Sequence, residues 1–234
     1  MDYYSTNEYP QSLDVKVSAV MKNVYLKMFL GLLLTAAVAY GVAAMSSTQG
    51  FLQMLMTNSW IYWGLAILEI GLVMWISAGL RKMSSGMATG LFVLFAIVNG
   101  LTLSLIFVAY SLPAIFKTFV ITAGVFGAMS VYGYFTTRDL TKIGSYLYMA
   151  LFGMIILIVV NIFWANSTLD WIISFAGVAL FIGITAWDTQ TIKRMAQADP
   201  TMANGKLATL GALNLYLDFI NLFLYLLRFF GNRD

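Results

Sequence analysis

Seven apolar stretches, each close to the length of a membrane-crossing helix, occupy most of this 234-residue chain. They run over approximately Tyr25–Met45, Trp60–Leu80, Met87–Tyr110, Ala114–Phe135, Ile143–Trp164, Leu169–Thr189 and Leu207–Phe230. An α-helix crosses the hydrocarbon with about 20 such residues, whereas a barrel strand needs about half as many and alternates polar with apolar. Continuous blocks of this length predict an all-α polytopic membrane protein with seven spans. Composition agrees: 61% of residues are hydrophobic and 10% charged, against roughly 25% charged in a soluble domain. No stretch between the blocks could form a separate soluble domain. The expected organisation is a polar, cytoplasmic tail over residues 1–23 and a single transmembrane domain over residues 24–234.

Two absences narrow the chemistry. Without cysteine the chain forms no disulfide and does no thiol chemistry. Without histidine it builds no Ser-His triad, HExxH zinc site or His-ligated haem. Neither Asp188 nor Asp218 sits in the GxGD motif of intramembrane aspartyl proteases, and Lys206 lies only at the edge of the last span, unlike a retinal lysine. We therefore expect no enzymatic activity and no cofactor. The tail carries Asp2, Glu8 and Asp14 among its lysines, unlike a secretory signal or a mitochondrial presequence. A net charge of +3, divided among short loops, gives no reason to expect nucleic-acid binding.

Loop charge predicts orientation. With the N-terminus inside, the inner segments hold Lys16, Lys22, Lys27, Arg81, Lys82, Arg138, Lys142, Lys193, Arg194 and Lys206, and the outer side only Lys117, Arg228 and Arg233. Ten against three is a strong positive-inside bias. Trp60, Trp63, Trp164 and Trp171 fall at the outer ends, as an aromatic belt should. The basic C-terminus opposes this arrangement mildly, and a re-entrant seventh segment would remove the conflict. Gly124, Gly127 and Gly133 in the fourth span, and Gly177 and Gly183 in the sixth, are expected where helices pack closely.

Three acids lie inside spans: Glu69, Asp188 and Asp218. A charge at the bilayer centre costs at least ~2.5–3.5 kcal/mol, so each needs a reason. Asp188 precedes Lys193 by five residues and Asp218 follows Lys206 by twelve, which places both in the inner half of the membrane. A short loop joins their helices, so the two carboxyls can meet. Arg81 ends the second span near the level of Asp188, whereas Glu69 lies twelve residues back, about 18 Å away at 1.5 Å per residue. Arg81 is thus the better partner for Asp188. Asn214, Asp218 and Asn221 share one helix face, and Thr185 and Thr189 flank Asp188. Asn99 and Asn161 are expected to bond between helices. Two carboxyls in a dry site share a proton and titrate as a coupled pair, and deprotonated they suit a hard cation such as calcium.

The run Ile184-Thr185-Ala186-Trp187-Asp188-Thr189-Gln190 resembles the sixth-helix signature of the Bax inhibitor-1 family. Gly100-Leu101-Thr102-Leu103-Ser104, Phe126-Gly127-Ala128-Met129-Ser130, Tyr132-Gly133-Tyr134 and Arg138-Asp139-Leu140 match it too, as does the stretch from Leu215 to Phe223. The likeness covers essentially everything from Val24 onward and is nearest to a bacterial branch, which implies the plasma (inner) membrane. It implies a fold whose last helix is surrounded by the other six, and a pH-sensitive calcium leak channel. By motif, Asp188 and Asp218 match the family's pH-sensing pair, Arg81 the arginine that latches the closed state, and Glu69 a pore-lining acid. Asn214 and Asn221 would extend the ion path, with calcium held transiently by Asp188 and Asp218. Trp187 departs from the usual residue before the aspartate and should alter packing more than chemistry. Two other readings use the same residues: a proton-coupled transporter, and a non-conducting regulator that binds a protease or another membrane protein.

Overall fold

A computed structural model describes residues 8–45, 48–198 and 204–231, with side chains from residue 15 onward. The expectations for Asp2, Glu8, Asp14 and Arg233 lie outside the described side chains. Among the described residues every regular element is helical: α1 (Glu8–Ala44), α2 (Gln49–Thr57), α3 (Ser59–Gly79), α4 (Ser85–Leu103), α5 (Ile106–Ala109), α6 (Leu112–Phe135), α7 (Thr141–Trp164), α8 (Ser167–Ala198) and α9 (Asn204–Phe230). In lipid each backbone N–H and C=O must find a partner within the chain, and an apolar block satisfies this only as a helix. Seven helical stretches among the described residues are long and apolar enough to cross a bilayer, with α4 and α5 forming one of them. The protein is an all-α polytopic membrane protein.

The ends of the helices follow local rules. Ser84 caps α4 by accepting the Met87 N–H at 3.1 Å. Pro113 sits in the first turn of α6, where a missing N–H costs nothing. α7 ends on Ala165, whose φ of 47° is left-handed. Asn161 Oδ1 accepts the Asn166 N–H at 3.1 Å, so Asn161 secures this turn rather than bridging helices.

Three features differ from the linear reading. Residues 15–23, read as tail, belong to α1, and Val17, Val20 and Met21 are buried. The loop between the first and second spans contains α2, which buries Leu52 and Leu55. The third span turns at Ser104 and Leu105, where the Ser104 N–H reaches back to Gly100 O at 3.0 Å.

The helix that carries Asn214, Asp218 and Asn221 is also the central one. α9 packs against α1, α3, α4, α6 and α8, and α7 faces it across a cavity. Of its most apolar stretch, 72% of residues are buried, against 6% for α7. α7, which packs on α8, presents Phe152, Ile156 and Phe163 to lipid. The conflict over the last span is resolved by length and pairing. α9 runs unbroken for 27 residues, and Arg228 near its end meets Asp170 at the start of α8, 3.2 Å away.

Candidate functional site

Asp188 on α8 and Asp218 on α9 are both 4% exposed and in hydrogen-bonding contact with each other. Asp218 Oδ2 is buried with no donor facing it. Such an oxygen is satisfied by a proton on the pair, by a cation or by a water molecule from outside the protein.

The surroundings of the pair explain its placement. A Cβ on Gly133 of α6 would run into the backbone of Ala186, so glycine lets α6 and α8 touch two residues before Asp188. A Cβ on Gly144 would strike the Trp187 ring, which lies edge-on to Tyr148 at 5.2 Å. Trp187 thus turns toward α7. Gln190 fixes the rotation of α8: its Oε1 accepts from Leu140 N at 2.9 Å and its Nε2 donates to Arg138 O at 2.8 Å. Gly177 and Gly183 also sit at close contacts, against Tyr225 and Leu147. Gly124 and Gly127 do not: nothing lies within 4 Å of a Cβ there, because that side of α6 carries no neighbour.

A cavity of about 590 Å³ opens beside the pair. Glu69, Asp188, Asn214, Asp218 and Asn221 all line it, with Asn99. The single face of α9 expected to carry Asn214, Asp218 and Asn221 is the face it presents here. Thr185 and Thr189 do not join it. The Thr185 hydroxyl donates to Phe181 O at 2.7 Å, and that of Thr189 to Ser130 Oγ at 3.5 Å.

Arg81 is not brought to the pair. It is exposed in the turn after α3 and makes no ion pair among the described residues, although its carbonyl accepts from Lys206 Nζ at 3.3 Å. Depth along the helix was a sound guide, but depth does not fix lateral position. α3 packs on α4 and the face of α9 toward it, which carries Arg81 to the start of α9 instead of to α8.

Glu69 is held differently. Its Oε2 accepts from Asn99 Nδ2 at 3.0 Å and its Oε1 from the Thr102 hydroxyl at 2.6 Å. Asn99 Oδ1 in turn accepts from the Tyr216 hydroxyl at 2.8 Å, and that hydroxyl lies 2.6 Å from Thr35 Oγ1. The resulting network ties α3, α4, α9 and α1 together, with Phe92 and Phe95 edge-on to the Tyr216 ring. Asn99 is interhelical, as expected.

Several participants escaped the sequence reading. Lys27, counted as a loop charge, is half-buried inside the bundle, donating to Thr209 Oγ1 at 2.6 Å and Thr89 Oγ1 at 2.7 Å. Its position inside an apolar block was the available signal. Thr102 and Tyr216 lay inside matched motifs but were given no role, and Tyr148 and Thr35 gave no signal, because threonine and tyrosine are common in spans. At the basic end, Arg194 pairs with Asp139 at 2.7 Å. Bonds from the Thr141 hydroxyl and amide, then from Arg194, hold the Asp139 carboxyl well below the usual carboxylate range.

Comparison with known proteins finds relatives over most of the chain. The family model described as "Inhibitor of apoptosis-promoting Bax1" matches residues 17–234. The inner membrane protein YbhL of Escherichia coli K12 is 47% identical over 216 residues, covering 91% of each chain. A protein of Borreliella burgdorferi is 46% identical over 225 residues, 93% of this chain and 96% of the relative. One from Rickettsia prowazekii is 39% identical over 234 residues, 98% and 96% respectively. The two halves of the buried pair, the glycine contact that seats it and the enclosed last helix all lie within the matched region, and the chain belongs to the Bax inhibitor-1 family of membrane proteins.

Proposed function

We propose that this protein is a pH-sensitive leak pathway for calcium, gated by the proton shared between Asp188 and Asp218. The observation that supports this reading most is Asp218 Oδ2, a buried oxygen without a donor outside the pair, on a residue that lines a largely apolar cavity. A proton and a cation compete for such an oxygen, so occupancy by one excludes the other. Glu69, Asn214 and Asn221 supply further oxygens along the same cavity wall. Calcium prefers six to eight oxygens. Among the described residues no three acidic side chains gather closely enough to cage an ion, which suits passage better than storage. Without Arg81 beside it, the pair is switched by its own proton.

By analogy with the relative named an inner membrane protein, the membrane is the bacterial inner one. The basic end of the bundle, with Arg81, Lys82, Arg138, Lys193, Arg194 and Lys206, is placed in the cytoplasm together with the N-terminus. The deciding measurement is calcium flux into liposomes across a range of pH. The wild type should show one pH-dependent step, and Asp188→Asn and Asp218→Asn should each abolish it. Variants that keep the wild-type profile would put the gate elsewhere.

A further inference from the structure

We infer that the cleft between α3 and α7 admits lipophilic organic monocations from the bilayer core and seats their positive centre against Asp218. This does not require that the cavity conduct calcium.

The cleft opens sideways. α3 packs on α4 and touches α9, while α7 packs on α8. Between α3 and α7 the rim is formed by Ile70, Met74 and Ile155, which line the cavity yet are 60%, 65% and 47% exposed. Ile70 and Ile155 sit near the middle of their helices and Met74 one turn further along α3, at the depth of the acyl chains rather than of the headgroups. A hydrated metal ion cannot enter by that route, because hydrocarbon offers it nothing in place of water. A cation whose charge is spread over an apolar body can.

The interior selects by charge. No lysine or arginine lines the cavity among the described residues, whereas Glu69, Asp188 and Asp218 do. Both oxygens of Glu69 are engaged by Asn99 and Thr102. Asp218 has no donor beyond the carboxyl of Asp188, and its Oδ2 is left without one. It is the one acidic oxygen here that gains most from an arriving positive charge. A zwitterionic phospholipid would bring its phosphate against the same carboxyls and is disfavoured. The volume of about 590 Å³ falls within the range of sites for drug-sized molecules.

The test uses the full chain in phosphatidylcholine nanodiscs, with binding to empty discs subtracted. Tetraphenylphosphonium is the probe, and tetraphenylborate, of the same shape and opposite charge, is the control. Saturable binding of the phosphonium and none of the borate is expected. Asp218→Asn should weaken phosphonium binding at least ten-fold. So should the double variant Ile70→Trp with Ile155→Trp, which narrows the opening at lipid-facing positions and decides the matter if Asp218→Asn fails to fold. Equal binding of the borate, non-saturable uptake, or undiminished affinity in the rim variant would overturn the inference. Calcium flux measured on the same preparations separates the two proposals. A leak without phosphonium binding overturns this one alone, and phosphonium binding without a leak supports it while removing the other.

Discussion

Two acidic centres line one cavity and are built on opposite principles. On the α3 side, Glu69 has a donor for each oxygen, and its asparagine partner is itself held by Tyr216. On the α8 side, Asp188 and Asp218 have chiefly each other, and one oxygen has no donor. A carboxylate whose acceptor sites are filled behaves as a structural knot, because changing its charge would break bonds already made. A carboxyl pair with an open acceptor retains something to gain from a proton or a cation. Burial alone does not make an acid responsive; what matters is whether its neighbours have already answered its charge.

The contrast can be broken most sharply at the pair. Asp188→Asn or Asp218→Asn should abolish the pH response of calcium flux in liposomes, since coupled titration needs both members. Glu69→Gln should leave that response in place. If Glu69→Gln flattens the profile instead, the roles assigned to the two centres are reversed.

Next in size is the contact that seats Asp188. Gly133→Ala forces α6 and α8 apart at Ala186 and should destabilise the bundle by about 1–3 kcal/mol, as overpacking does. Gly124→Ala, where nothing lies within 4 Å, should stay within about 0.5 kcal/mol of wild type. Unfolding midpoints in detergent would compare them, and equal losses would mean that the glycine contact does not support the pair.

Tyr216→Phe tests the knot. Loss of the hydroxyl leaves Asn99 Oδ1 and Thr35 Oγ1 each one partner short and should cost about 1–2 kcal/mol. The pH profile of flux should be untouched. The same substitution altering the profile would couple the two centres.

The smallest effect is expected at the basic end, where an exposed carboxylate contrasts with the buried ones. The folded state holds Asp139 below its ordinary range, so its contribution is present at neutral pH and is lost as pH falls below about 4, where the unfolded chain binds the proton first. The difference in unfolding midpoint between wild type and Asp139→Asn should therefore shrink in acid. A difference that grows in acid would reverse the sign.

Much of the site was legible before any coordinates. Acids stand out in an apolar chain, and depth along a helix follows from residue count. Those two facts brought Asp188 together with Asp218, and put Asn214 and Asn221 on the face of α9 that lines the cavity. The same counting failed for Arg81, because rise along an axis says nothing about which neighbour a helix end leans toward. It failed again for Thr185 and Thr189, whose hydroxyls prefer Phe181 O and Ser130.

The sequence by itself determined that this chain crosses a membrane as helices, where those helices lie, and which acids need an explanation. These are properties of segments, dictated by hydrocarbon thickness and by the cost of an unpaired backbone group. Only the tertiary structure decided that Glu69 is answered and Asp218 is not, that Lys27 is drawn inside by two threonines, and that α3 and α7 stand apart over a cavity lined by three acids. Those outcomes depend on side chains from four or five helices meeting at one point, which linear spacing does not specify.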